Sequence, residues 1–77
     1  MVVVKNLNLE VTEAEITDFF KEMEFNAIRA RLLYDNEGNS KGFGFVELGS
    51  QKEVDEAVKT INGEMFQGKK LTVQEKN

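Results

Sequence analysis

The 77-residue chain has neither cysteine nor histidine. The first absence excludes disulfides, thiol nucleophiles and thiolate metal sites. The second removes the commonest metal ligand and the side chain best suited to acid–base work near neutral pH. No catalytic residue, metal site or cofactor is therefore expected. Proline and tryptophan are also missing. Proline usually makes up about 5% of a chain, so the composition fits an excised or engineered segment. Apolar runs extend only a few residues, too short to span a membrane. The first residues lack the charged-then-apolar order of a secretory signal, so an intracellular, non-secreted chain is expected. Seventy-seven residues supply one core and one domain, residues 1–77. A chain of this size buries only about 60% of its unfolded surface, so its packing must be efficient.

Basic charge is scarce as well, and the net charge is −4. That sum argues at first against a nucleic-acid partner, since such domains are usually basic. The distribution reverses the argument. Residues 10–24 hold Glu10, Glu13, Glu15, Asp18, Glu22 and Glu24 against Lys21 alone, a local −5, and the remainder of the chain carries +1. The acidity belongs to one segment.

That segment reads as a helix. Thr12 and Glu15 form a capping-box pair, Val11 and Ile16 occupy the hydrophobic-staple positions, and Ile16, Phe19, Phe20 and Met23 recur at helical spacing. Val2-Val3-Val4-Lys5 before it reads as a strand. After it, residues 27–34 alternate, with Ile28, Ala30 and Leu32 on one side and Arg29, Arg31 and Leu33 on the other. Residues 35–40 are dense in turn formers and lead to a strand at 41–48. Ser50 and Glu53 suggest a second capping box, followed by the apolar stripe Val54, Ala57, Val58 and Ile61 and the stop Asn62-Gly63. A last strand is expected at 69–75, with Leu71 and Val73 alternating against Lys70, Thr72 and Gln74. The order is βαββαβ, an α+β domain. Two helical stripes need one face of a four-stranded sheet, and the other face stays open.

Strand parity decides what occupies the open face. In 41–48, Lys41, Phe43, Phe45 and Glu47 share one side, and Gly42, Gly44, Val46 and Leu48 share the other. A face bracketed by Lys and Glu suits solvent; a Gly-Gly-Val-Leu face lets helices approach closely. Two exposed rings on one strand mark a binding surface. Parity adds Val3 and Lys5, then Arg29, Arg31 and Leu33, then Lys70, Thr72 and Gln74. With Glu47 as its one acid, this face carries a net +4. Aromatic platforms among cations match what unpaired bases and their phosphates require.

The run Lys41-Gly42-Phe43-Gly44-Phe45-Val46-Glu47-Leu48 resembles the octamer of the RNA recognition motif (RRM) family, K/R-G-F/Y-G/A-F-V-x-F/Y, at seven of eight positions. Leu48 stands where an aromatic residue is usual. Val2 to Leu7 is similar to the family's first-strand hexamer, and Ile61-Asn62-Gly63 and Gly68 to Val73 match its usual second half. The resemblance covers the whole chain. It implies a ferredoxin-like sandwich, a four-stranded antiparallel sheet with two helices on one face, and a ribonucleoprotein-type role in RNA processing. It also implies that Phe45 stacks on a base and Phe43 packs against a base or the sugars. Lys41 would meet a phosphate, as would Arg29 or Arg31. Val3 departs from the pattern, because the family commonly places a ring there. One stacked base contributes about 1–3 kcal/mol, so modest affinity for about two to four nucleotides is expected.

The expected partner is single-stranded RNA, with single-stranded DNA left open, bound by a monomer in the nucleus or cytoplasm. Other domains of a parent chain are further candidate partners. The alternative is an RRM-like protein-interaction module that binds a peptide between the acidic first helix and Phe66. Such modules use an Arg-x-Phe motif; here Glu64-Met65-Phe66 replaces the arginine with an acid. An enzyme is not expected: no glycine loop cradles phosphate, and no carboxylate pair converges in a cleft.

Overall fold

The β-branched run at the start forms β1 (Val2–Lys5), which becomes a central strand because its alternate side chains Val2 and Val4 find partners. It is followed by α1 (Glu13–Glu22), β2 (Ala27–Tyr34), β3 (Ser40–Leu48) and α2 (Gln51–Thr60). A two-stranded ribbon, β4 (Met65–Phe66) with β5 (Lys69–Lys70), precedes β6 (Thr72–Glu75). The computed structural model describes residues 1–76. The main sheet is antiparallel in the order β2-β3-β1-β6, the ferredoxin-like arrangement.

Both helices cover the same face. Val2, Val4, Ala30, Leu32, Val46, Leu48 and Val73 from the strands meet Ile16, Phe20, Val54, Ala57 and Ile61 in one apolar cluster. Phe20 is fully buried, and its ring stands edge-on to Phe19 and Phe25 at 6.1 and 6.2 Å. The first capping box is complete: Glu15 N–H donates to Thr12 Oγ1 at 3.2 Å, and Thr12 N–H donates to Glu15 Oε1 at 2.9 Å. Val11 and Ile16 are both buried, as a staple requires.

Three expectations need correction. Ile28 is exposed, not in the core, because β2 slips one residue against β3 between Ala27 and Arg29. Such a bulge sets two residues against one, and Ala27 takes the buried place beside Leu48. The second capping box is half formed. Glu53 N–H donates to Ser50 Oγ at 3.2 Å, but the Glu53 carboxylate accepts from Asn26 N–H at 2.8 Å instead of returning to its own cap. The strand expected at 69–75 is two strands. Gln67 and Gly68 both adopt positive φ (49° and 82°), the backbone of a tight two-residue hairpin. The hairpin draws Lys69 and Lys70 into pairing with Phe66 and Met65. Lys70 therefore lies on the ribbon and not on a strand of the main sheet.

Candidate nucleic-acid interface

The face turned away from the helices is organised in rows across the strands. One row runs Arg31, Phe45, Val3, Gln74, each residue directly opposite the next. The adjacent row runs Phe43, Lys5, Thr72. On the other side, Arg29 pairs with Glu47. Strands lie about 4.8 Å apart and same-face neighbours about 6.8 Å apart along a strand, so the two rings stand side by side near the middle of the sheet. Phe43, Phe45, Val3 and Leu33 are half-buried, whereas Lys5, Arg29, Arg31, Lys41 and Gln74 are exposed. Val46 and Leu48 point into the core, which also accounts for the aliphatic residue at the end of the octamer. The two glycines do not make room for helices as the sequence suggested: a side chain at Gly44 would run into the Arg31 carbonyl of β2, and one at Gly42 would meet Leu9 and the Leu7 carbonyl.

Local backbone devices hold this arrangement. Gly42 adopts φ +79°, where a side chain would be strained, and β3 shifts register there against β2 between Leu32 and Tyr34. The Gly42 carbonyl accepts from Leu7 N–H at 2.8 Å, tying the end of β1 to the start of β3. The edge strand β2 is protected from behind. Glu13 Oε2 on α1 accepts the Leu32 N–H at 2.8 Å, so that edge donor is not offered to another chain. In the β2–β3 turn, Asp35 Oδ1 accepts from Glu37 N–H and Asn39 N–H at 2.9 Å each. The Asn39 bond is the main reason its carboxyl sits below the ordinary value; desolvation opposes it, and the Glu37 bond and the Lys41 charge lower it further.

Two recesses open on this face. One, of about 150 Å³, is lined by Met1, Arg29, Arg31, Phe45 and Glu47. The other, of about 290 Å³, surrounds Phe43 with Lys5, Lys41 and Lys69 and reaches Leu9 in the β1–α1 loop. Lys69 and Leu9 carried no sequence signal for this placement. Lys76 did: its parity matches Thr72 and Gln74. Its ammonium lies 5.5 Å from the centroid of Phe45, a cation–π distance, and its N–H donates to the Met1 carbonyl at 3.0 Å. Lys70 lies off the sheet, its backbone carbonyl accepting from Asn6 Nδ2 at 2.8 Å and its Cε facing Gly63. Lys76 supplies the charge that the sequence assigned to Lys70.

The opposite side carries a third recess, of about 280 Å³, between Glu15, Asp18, Phe19, Glu22, Phe66 and Gln67. Phe66 is already stacked on Phe19, with centroids 4.5 Å apart and planes tilted by 30°.

The RNA recognition motif family model matches residues 2–72, and the chain belongs to that family. Among curated relatives, polyadenylate-binding protein 7 of Arabidopsis thaliana is 44% identical over 70 residues, covering 91% of this chain and 11% of that protein. The relatives are much longer; the chain spans 9% to 26% of their length. The second RRM domain of yeast poly(U)-binding protein superposes with a TM-score of 0.84 at 27% identity, covering 95% of this chain and 88% of that one. A structure described as a Sxl-lethal protein/RNA complex gives 0.87 at 26% identity, covering 99% of this chain and 46% of that one.

Proposed function

We propose that the chain is a single-stranded RNA-binding module, one domain over residues 1–77, that uses the open sheet face. The observation that carries this is the pair of half-exposed rings, Phe43 and Phe45, set side by side among Lys5, Arg29, Arg31 and Lys41. Aromatic platforms in a cationic surface bind unpaired bases by stacking and phosphates by charge. Phe45 stacks on a base, and Phe43 packs against a neighbouring base or its sugar. Lys41, Lys5, Arg29 and Arg31 meet phosphates or base edges, while Val3, Leu33 and Gln74 complete the surface. The names of longer relatives and the RNA-bound neighbour support this reading. The domain acts as a monomeric, non-enzymatic part of a nuclear or cytoplasmic RNA-processing protein. The peptide-binding alternative is disfavoured, because Phe66 is engaged by Phe19 and Glu64 stands where an arginine is needed.

The test is an amide-shift titration with short mixed-sequence RNA. Signals of Val3, Lys5, Arg29, Arg31, Phe43 and Phe45 should move together and saturate. The paired change Phe43→Ala and Phe45→Ala should abolish the shifts without unfolding the chain. Unmoved signals on this face at near-millimolar RNA would refute the reading.

A further inference from the structure

The groove beside Phe45 contains chemistry that stacking does not use. Glu47 lies two residues along β3 on the same face, and Arg31 lies directly beside the ring on β2. Arg29 faces Glu47 across the strands. With Met1 these four residues enclose about 150 Å³. That is below the roughly 300–1,000 Å³ typical of drug-sized ligands, a scale suited to one planar heterocycle. An acid here repels phosphates, so a surface selected only for affinity would not carry it. Arg29 offsets that repulsion.

A base stacked flat on Phe45 takes the place of the Lys76 ammonium over the ring, lies parallel to the ring and turns its edges toward whatever surrounds it. One edge meets Glu47 along the strand, and the neighbouring edge meets Arg31 across it. An ionised carboxylate only accepts hydrogen bonds, through two oxygens; a guanidinium only donates, through a planar fork. The matching base must show paired donors on one edge and paired acceptors on the next. Uracil has a single N–H between two carbonyls. Cytosine and adenine each offer one exocyclic amine as their donor group. Guanine has two adjacent donor groups, N1–H and the N2 amine, and beside them two acceptors, O6 and N7. Bidentate recognition of O6 and N7 by arginine is a common specific contact to guanine, and unstacked RNA bases are read on these same edges.

Resting on the RNA-binding reading above, we propose that the Phe45 subsite selects guanine. Glu47 accepts from N1–H and the N2 amine, and Arg31 donates to O6 and N7. The binding test uses uridine hexamers in which one central position is G, A, C or U, together with strands carrying inosine or 7-deazaguanine there. The G strand should bind tightest, by roughly tenfold or more. Inosine, which lacks the N2 amine, and 7-deazaguanine, which lacks N7, should each lose part of that advantage. In Glu47→Gln the ratio of G to U affinity should fall to what the Arg31 contact with O6 and N7 alone supports, and inosine should then bind as well as guanosine at that position. Equal binding of all four strands by the unaltered chain would overturn guanine selection and leave the RNA-binding reading intact. A guanine preference undiminished in Glu47→Gln would overturn the role of Glu47. Failure of every strand to bind would instead refute the RNA-binding reading itself.

Discussion

The two faces of the main sheet are built from alternate residues of the same strands, yet they obey different constraints. On the helix side, Val2, Val4, Val46, Leu48 and Val73 are buried against α1 and α2. On the open side, their neighbours Val3, Phe43, Phe45 and Glu47 are half-buried, and the cations beside them are exposed. The difference lies in what each residue touches, since the backbone is shared. A helix-side residue is held by packing in a dense interior, where even small volume changes are felt. An open-side residue has one flank in solvent, so its chemistry can change at little cost to folding. The comparison can be broken by any substitution that moves stability and RNA affinity together.

The largest expected effect lies on the closed side. Phe20→Ala removes a fully buried ring and should cost about 3–5 kcal/mol in urea unfolding. That is a large share of the roughly 5–15 kcal/mol of a whole domain. The molecules that remain folded should bind RNA as before. A parallel loss of affinity per folded molecule would mean that the faces are not independent. The complementary change is Val3→Phe, which adds a ring directly opposite Phe45 in the middle row. One more stacked base contributes about 1–3 kcal/mol, so RNA should bind roughly tenfold tighter in a calorimetric titration. The melting temperature should move by only a few degrees.

The open face was legible in β3 because parity and the Lys41 and Glu47 brackets point the same way. It was less legible in β2. Ile28 is the larger apolar residue of the Ala27-Ile28 pair, so the pattern places it inward. The bulge that turns it out belongs to pairing with β3, which no local spacing reveals. Glu53 satisfies the capping signature, but Asn26, distant in sequence, claims its carboxylate. The split of the last strand follows from pairing with the preceding segment, where Leu71 N–H donates to the Glu64 carbonyl at 2.9 Å. The first two misses share a source, a tertiary partner that overrode a correct local preference; the third is a local hairpin turning at Gln67-Gly68. Lys76 was the readable exception, since extending the parity of Thr72 and Gln74 by one step places it on the open face.

A smaller effect sharpens the electrostatic side of the comparison. Lys41 is exposed at the edge of the recess around Phe43. Each phosphate neutralised on a single strand contributes about 0.7 to the slope of log affinity against log salt. Lys41→Ala should reduce that slope by about 0.7 and weaken binding to all sequences alike. A change of sequence preference would show instead that Lys41 reads a base.

The smallest effect tests whether the helix side responds to pH through its scaffold and not through its core. Hydrogen bonding from the Thr12 backbone N–H, then from Gln67 and the Thr12 hydroxyl, holds the Glu15 carboxyl below its ordinary value of 4.5, with burial opposing weakly. A carboxyl whose folded value is depressed stabilises the fold fully above the unfolded value. As pH falls through 4.5, the unfolded chain binds the proton first, and the stabilisation fades until the folded carboxyl protonates too. Thermal midpoints should therefore fall on acidification below that value, and Glu15→Gln should flatten the first part of the decline. Asp35, lowered from 3.8 by its turn hydrogen bonds, leaves a second component at lower pH. Because Glu15 is exposed, solvent screens the effect and the flattening should be slight. An unchanged acid profile in Glu15→Gln would mean that the capping box orders the helix entry without contributing to stability through its charge.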